Sequence, residues 1–179
     1  MSRILPIDPA TAPEEIRAAH AELIKSHAVS NMKAVLLHSP VALKAVLEWY
    51  ELFARVTPFI GERGAVLFSF SISRANACEL CTTFMRRAII GWGEDPESLN
   101  LTPREQVLWD YAYQLARDPN RVDDALFARL SAEFTPSQIV DLTVFGGLMI
   151  VNNVFNSALR IDVDEGLESF RIDPEHYFV

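Results

Sequence analysis

Three Ser/Thr–Pro pairs, Ser39–Pro40, Thr102–Pro103 and Thr135–Pro136, each stand immediately before a segment whose apolar residues recur at helical spacing. A hydroxyl side chain accepts a hydrogen bond from an orphan N–H of the first helical turn, and proline fits the first helical position, where no N–H bond is needed. Three such starts commit the chain to helices. Thr102 with Glu105, Thr135 with Gln138 and Thr11 with Glu14 also stand at capping-box spacing.

The apolar periodicity agrees. Ile16, Ala19, His20, Leu23 and Ile24 predict an N-terminal helix over residues 13–27. Leu43, Val46, Leu47, Tyr50, Phe53 and Ala54 mark a second helix. Val107, Leu108, Tyr111, Ala112 and Leu115 mark a later one, and Val122, Leu126, Phe127 and Leu130 another. Residues 138–159 are apolar nearly all round, broken by Asp141 and by Asn152, Asn153 and Asn156, so that helix is central or shared with another subunit. Gly61, Gly64, Gly91 and Gly93 are expected at helix ends or bends.

One run reads otherwise. Phe68-Ser69-Phe70-Ser71-Ile72-Ser73 alternates with period two, the pattern of a strand. A lone strand in a helical chain would find no ladder partner for its backbone groups, so the run is assigned to a helix. The expectation is an all-α protein: a compact helical bundle forming a single domain over residues 1–179.

Composition narrows the function. Of 179 residues 50% are hydrophobic and 22% charged, enough to build a core. The net charge of −8 excludes a nucleic-acid binder, which needs a basic face for phosphates. The longest uncharged apolar run, residues 142–151, is half of the roughly 20 residues a membrane span needs, so no membrane partner is expected. Residues 1–13 contain Asp8 and no apolar core of a secretory signal, and a cytoplasmic location is expected. Two cysteines exclude a disulfide-rich scaffold.

Their spacing says more. Two cysteines placed at random would fall three apart about one time in a hundred, yet here they form Cys78-Glu79-Leu80-Cys81. On a helix, residues three apart share a face and can bridge. With Asn76 as a helix cap, both thiols would lie in a first turn, where the dipole favours thiolate. Arg74, Arg86 and Arg87 are candidate neighbours that would strengthen the effect. Such a pair supplies a nucleophilic sulfur and a second sulfur to resolve the product. Two plain thiols serving as small hydrophobes are the competing reading. A zinc site would need about four ligands, and no histidine is near in sequence.

The run Ser73-Arg74-Ala75-Asn76-Ala77-Cys78-Glu79-Leu80-Cys81 resembles the small–Asn–small–Cys-x-x-Cys signature of the alkylhydroperoxidase D-like proteins, in the carboxymuconolactone decarboxylase superfamily. His38-Ser39-Pro40, Leu101 to Glu105, Asp118–Pro119, Phe134 to Pro136 and the closing segment 152–161 follow the order that resemblance implies. The resemblance covers residues from about 35 to 165 and implies a homo-oligomeric all-α domain with its core there. Its Cys-x-x-Cys members are thiol peroxidases or disulfide reductases without metal or nucleotide cofactor. The substrate would be a peroxide or disulfide, and the reductant an external dithiol or protein. Cys78 and Cys81 would be the catalytic residues, with peroxide attack on Cys81 by family analogy.

The chain departs from the pattern at three positions. The family carries a Glu twelve residues before the first Cys, a His just before the second and a His four residues after it, which relay protons. Here Val66, Leu80 and Met85 stand there. Glu62, a turn before Val66, and Glu79 are the nearest acidic substitutes. The alternative function is therefore a non-catalytic helical oligomer acting as a binding or redox-sensing module. A lactone decarboxylase would need a polar pocket, and His20, His27, His38 and His176 form no recognisable motif. Trp49, Trp92 and Trp109 are expected to pack, and Asn152, Asn153 and Asn156 to line a pocket or bond across an interface.

Overall fold

The computed structural model describes residues 1–172. Seven α-helices follow one another: α1 Glu14–Ser26, α2 Asn31–Leu36, α3 Pro40–Ala75, α4 Glu79–Gly91, α5 Pro103–Arg117, α6 Asp124–Glu133 and α7 Pro136–Leu159. Short 3-10 turns lie at Pro119–Arg121 and Glu168–Phe170, and no strand forms among the described residues.

The predicted starts hold where local chemistry dictates them. Ser39, Thr102 and Thr135 cap α3, α5 and α7, and the last two complete reciprocal capping boxes with Glu105 and Gln138. Thr11 does not cap α1. Its hydroxyl turns back to Asp8, at 3.4 Å from the carbonyl, and Pro13 precedes α1 without a side-chain cap. Asp8 captures Thr11 because its carboxylate already organises a local turn by accepting from the Ala10 N–H at 2.9 Å.

Helix α3 is the axis of the molecule, packing against α4, α5 and α7. Gly61, at φ 76°, breaks it into two segments, a conformation that an L side chain resists. Gly64, expected at a bend, is instead helical and buried, 3.2 Å from Ile60 Cβ for any added Cβ. Gly93 takes φ 78° just after α4.

The Phe68–Ser73 run lies wholly within the second segment of α3, and all six residues are fully buried. Surrounded on all sides, that stretch needs no polar face. Phe68 and Ile72 join the main core with Leu108, Tyr111, Leu142 and Phe145. Phe70 joins a second cluster with Val66, Leu67 and Ile89. The serines between them are satisfied: Ser69 and Ser73 donate to the carbonyls of Ala65 and Ser69, at 2.9 and 2.7 Å, and Ser71 to that of Trp109 at 2.9 Å. Period two here marks small residues where neighbouring helices approach, not a pleat.

Helix α7 is long and apolar enough to cross a bilayer by length and composition, but it packs on α3, α4, α5 and α6. Its inner face carries Leu142, Phe145, Gly146, Met149, Asn152, Asn153 and Asn156. It is a core helix.

Candidate active site

The dithiol sits where α3 ends and α4 begins. Helix α3 closes with the Ala77 N–H bonded to Arg74 O and the Cys78 N–H to Ser73 O, both at 3.0 Å. This is a Schellman closure, and it places Ala77 at φ 50°, a position usually given to glycine. Asn76 therefore caps the C-terminus of α3 and is not the N-cap of the next helix. Cys78 itself occupies that N-cap, its carbonyl accepting from the Thr82 N–H at 2.9 Å. Cys81 follows within the first turn of α4.

Both cysteines are free thiols, and both are buried. Their environments push them apart. Cys78 is lowered below an ordinary thiol by the hydrogen bond from the Cys81 side chain, against the opposing effect of burial. The backbone N–H groups of Cys81 and Leu80 and the Ser157 hydroxyl lower it further. Cys81 is raised, because its proton is held by Cys78 and because it is buried. Asn156 partly offsets this by donating to the Cys81 sulfur at 3.2 Å. The surroundings of Cys78 thus favour its thiolate, with the Cys81 thiol as hydrogen-bond donor, and those of Cys81 favour its thiol.

Cys78 also lines a cavity of about 470 Å³ between the start of α4 and the end of α7, shared with Ala77, Asn156, Ser157 and Arg160. Cys81 does not line it. The Asn residues of α7 that sequence left between a pocket and an interface turn inward. Asn153 lies 3.4 Å from the Ser73 hydroxyl, and Asn156 bridges from the cavity to Cys81.

The arginines named from sequence are engaged elsewhere. Arg74 and Arg86 both pair with Glu97, Arg86 also donates to Phe170 O at 2.8 Å, and Arg87 lies over the Phe84 ring. Arg160 and Arg171, which carry no motif, line the cavity instead. Glu79 is half exposed and pairs with Arg171 at 3.4 Å. Glu62 is exposed.

The three relay positions are apolar in their surroundings as well as in their side chains. Val66 packs with Leu67, Phe70 and Ile89, Met85 lies against that cluster, and Leu80 packs with Val35, Ile161 and Val163. His38 bonds to Leu5 O at 3.0 Å and His27 lies tilted against the Tyr50 ring, while His176 is outside the described residues. Trp49 stacks on Phe145 and Trp109 meets Phe70 edge-on, but Trp92 is 40% exposed at the end of α4.

No family model matches the chain. A curated relative, the uncharacterized protein YnjA of Escherichia coli K12, is 31% identical over 108 residues, covering 53% of this chain and 58% of that one. The chain thus matches little more than half the length of that relative. An uncharacterized peroxidase-related protein from Ralstonia eutropha, an alkylhydroperoxidase AhpD core, superposes with a TM-score of 0.71 at 16% identity, covering 93% and 94% of the two chains. The debrominase Bmp8, as a cysteine-to-alanine variant bound to 2,3,4-tribromopyrrole, gives 0.69 at 13% identity with the same coverage. A protein of unknown function from Agrobacterium tumefaciens, named as a candidate AhpD antioxidant-defence protein, gives 0.62 at 21% identity over 72% and 94%. The fold is that of the alkylhydroperoxidase AhpD-like proteins.

Proposed function

We propose that this AhpD-like chain is a dithiol oxidoreductase that reduces disulfides, with Cys78 attacking and Cys81 resolving. The observation that carries it is the pairing of Cys78 as the N-cap of α4, open to a cavity, with Cys81 as its internal thiol donor. Cys78 meets the conditions of an attacking sulfur: lowered, at a helix start and facing a space that a substrate can enter. This assigns attack to Cys78, where family analogy pointed to Cys81.

The choice between peroxide and disulfide follows from the leaving group. Splitting a peroxide releases an alkoxide or hydroxide, which needs a proton donor, and Val66, Leu80 and Met85 supply none. Splitting a disulfide releases a thiolate, which departs far more readily without one. Disulfide exchange is the reading the residues support, and peroxide reduction is expected to be slow. An external dithiol or protein thiol returns the pair to the reduced state. A cytoplasmic setting, where thiols stay reduced, suits such a cycle.

The exposed side of α7 supports self-association. Val140, Val144, Gly147, Val151, Val154 and Ala158 recur at spacings of four and three, the seam of a helix pair, and the four valines are 47–61% exposed. A second copy of this chain presents the same seam.

The function is tested by mixing reduced protein with a small neutral disulfide and quenching with an alkylating agent. An intramolecular Cys78–Cys81 disulfide forming within seconds and reversed by a dithiol is the expected result. Thiols that stay alkylatable over many minutes would leave the binding-module reading instead.

A further inference from the structure

Among the described residues, two non-glycine positions take positive φ, Ala77 at 50° and Arg160 at 51°, and both line the Cys78 cavity. Each closes a helix in the same way. At the end of α7 the Arg160 N–H bonds to Ser157 O at 3.3 Å and the Ile161 N–H to Asn156 O at 2.9 Å. Glycine would take this position without strain, whereas an L side chain there is disfavoured. At Ala77 the strain delivers Cys78 to its N-cap. At Arg160 it places an exposed arginine on the cavity wall.

The charges around that wall are not equivalent. Arg171 pairs with Glu79 at 3.4 Å, and Asp162 accepts from the Ser2 hydroxyl and backbone N–H, both at 2.9 Å. Arg160 has no carboxylate partner among the described residues. Beside it Asn156 is 4% exposed, and its Oδ1 accepts no hydrogen bond although its Nδ2 is engaged with Cys81. A buried carbonyl oxygen without a donor is costly unless a ligand supplies one.

We infer that the cavity is a subsite for a small peptide disulfide, in which Arg160 takes a free carboxylate and Asn156 Oδ1 takes a backbone amide N–H beside the reacting sulfur. This rests on the dithiol reading and names its substrate class. The Cys78 thiolate, its proton already lost to solvent, attacks one sulfur of the bound disulfide, the S–S bond breaks, and one peptide leaves as thiolate. Cys81 loses its proton to solvent, attacks the Cys78 sulfur and expels the second peptide thiolate, and each released thiolate takes a proton back from solvent. Two protein thiols become one disulfide and one peptide disulfide becomes two thiols.

The test uses reduced protein and three disulfides: oxidised glutathione, bis(2-hydroxyethyl) disulfide and cystamine, which are anionic, neutral and cationic. Each rate is divided by that disulfide's rate with free dithiothreitol, to remove intrinsic reactivity. The normalised kcat/KM is expected to be highest for oxidised glutathione and lowest for cystamine, with the gap closing in salt. Arg160→Gln should lower the glutathione value about tenfold through KM, as loss of a charged hydrogen bond does, and leave the neutral disulfide unchanged. Equal normalised rates, and an Arg160→Gln variant that matches the parent, would overturn the subsite while leaving the dithiol function standing. If no disulfide oxidises the pair, the dithiol function falls. The subsite is then decided by calorimetry of oxidised glutathione on the Cys78→Ser/Cys81→Ser protein: binding that Arg160→Gln weakens supports it, and no binding overturns it.

Discussion

The Asn156 side-chain amide donates to the Cys81 sulfur across 3.2 Å, linking the last helix to the half of the dithiol that does not line the cavity. In the reduced state the bond favours ionisation of a thiol that Cys78 and burial both hold protonated. Its chemical value comes after Cys78 has reacted, when Cys81 must become the nucleophile.

With bis(2-hydroxyethyl) disulfide, which offers no amide N–H to Asn156 Oδ1, removing that donor should therefore slow the second step and spare the first. Asn156→Leu keeps the approximate volume and takes away the amide. Loss of a hydrogen bond to an ionised group is worth about 1.5–3 kcal/mol, so resolution should slow by about tenfold or more. Rapid-quench mass spectrometry should then show the Cys78 mixed disulfide accumulating, where the parent passes through it. A variant that resolves as fast as the parent would show that Asn156 has no part in the step.

The pair should titrate in two separated steps. Cys78 is lowered, so alkylation by iodoacetamide should rise with a first midpoint below that of a free thiol. Cys81→Ala removes the side-chain donor that lowers Cys78 most, so the Cys78 midpoint should move up. In the parent, Cys81 should react only at clearly higher pH. A Cys78 midpoint at or above the free-thiol value, unaltered by Cys81→Ala, would remove the basis for assigning attack to Cys78.

Helix starts were legible in sequence because their causes are local. Thr102 needs only Glu105 three residues on, and Thr135 only Gln138, for a reciprocal cap to close. The dithiol was legible for the same reason, since Cys78 and Cys81 are one turn apart. Arg160 was not, because what matters about it is a left-handed backbone at the end of α7 and a cavity built with α4, far earlier in the chain. Asn76 was misplaced because Asn suits either end of a helix, and the Schellman bonds of Ala77 and Cys78 decide the matter. Thr11 failed as a cap because Asp8, three residues before it, competes for its hydroxyl.

The crossing of α3 and α7 depends on one missing side chain. A Cβ on Gly146 would stand 3.1 Å from Leu115 Cδ1 and Phe68 Cε1 and 3.2 Å from Ile72 Cδ1. Phe68 and Ile72 are fully buried, so neither has room to withdraw. The better helix propensity of alanine, about 1 kcal/mol, works the other way. Overpacking against three core residues should win, and Gly146→Ala should lower stability by about 1–3 kcal/mol in urea unfolding. A stability equal to or above the parent would mean that the two helices can part at this point without loss.

The valine seam of α7 should hold copies together. Val144→Glu with Val151→Glu places charge at two exposed positions and touches no core contact, so helical content should not change. Sedimentation velocity should give an oligomer for the parent and a smaller species for the double variant. A parent that sediments as a monomer at every concentration would leave the seam without a partner of its own kind.

Arg63 ties three segments together through charge. Its guanidinium meets Glu94 in two parallel bonds of 2.8 and 2.7 Å, donates to Glu105 at the start of α5, and reaches Asn100 O at 3.2 Å. The bond to Arg63 lowers Glu94. Burial works against ionisation of Glu105, but the Thr102 backbone N–H, Arg63 and the Thr102 hydroxyl outweigh it and lower Glu105 too. Both carboxylates are thus more acidic in the folded state than in the unfolded chain, where a glutamate titrates near about 4.3. Their stabilisation is complete above that value and is lost as pH falls through the lower folded-state values. The urea midpoint of the parent should therefore decline steeply below about pH 4.3, and Arg63→Gln should be less stable at neutral pH with a shallower decline. Parallel pH profiles for the two proteins would show that the decline arises from other carboxylates.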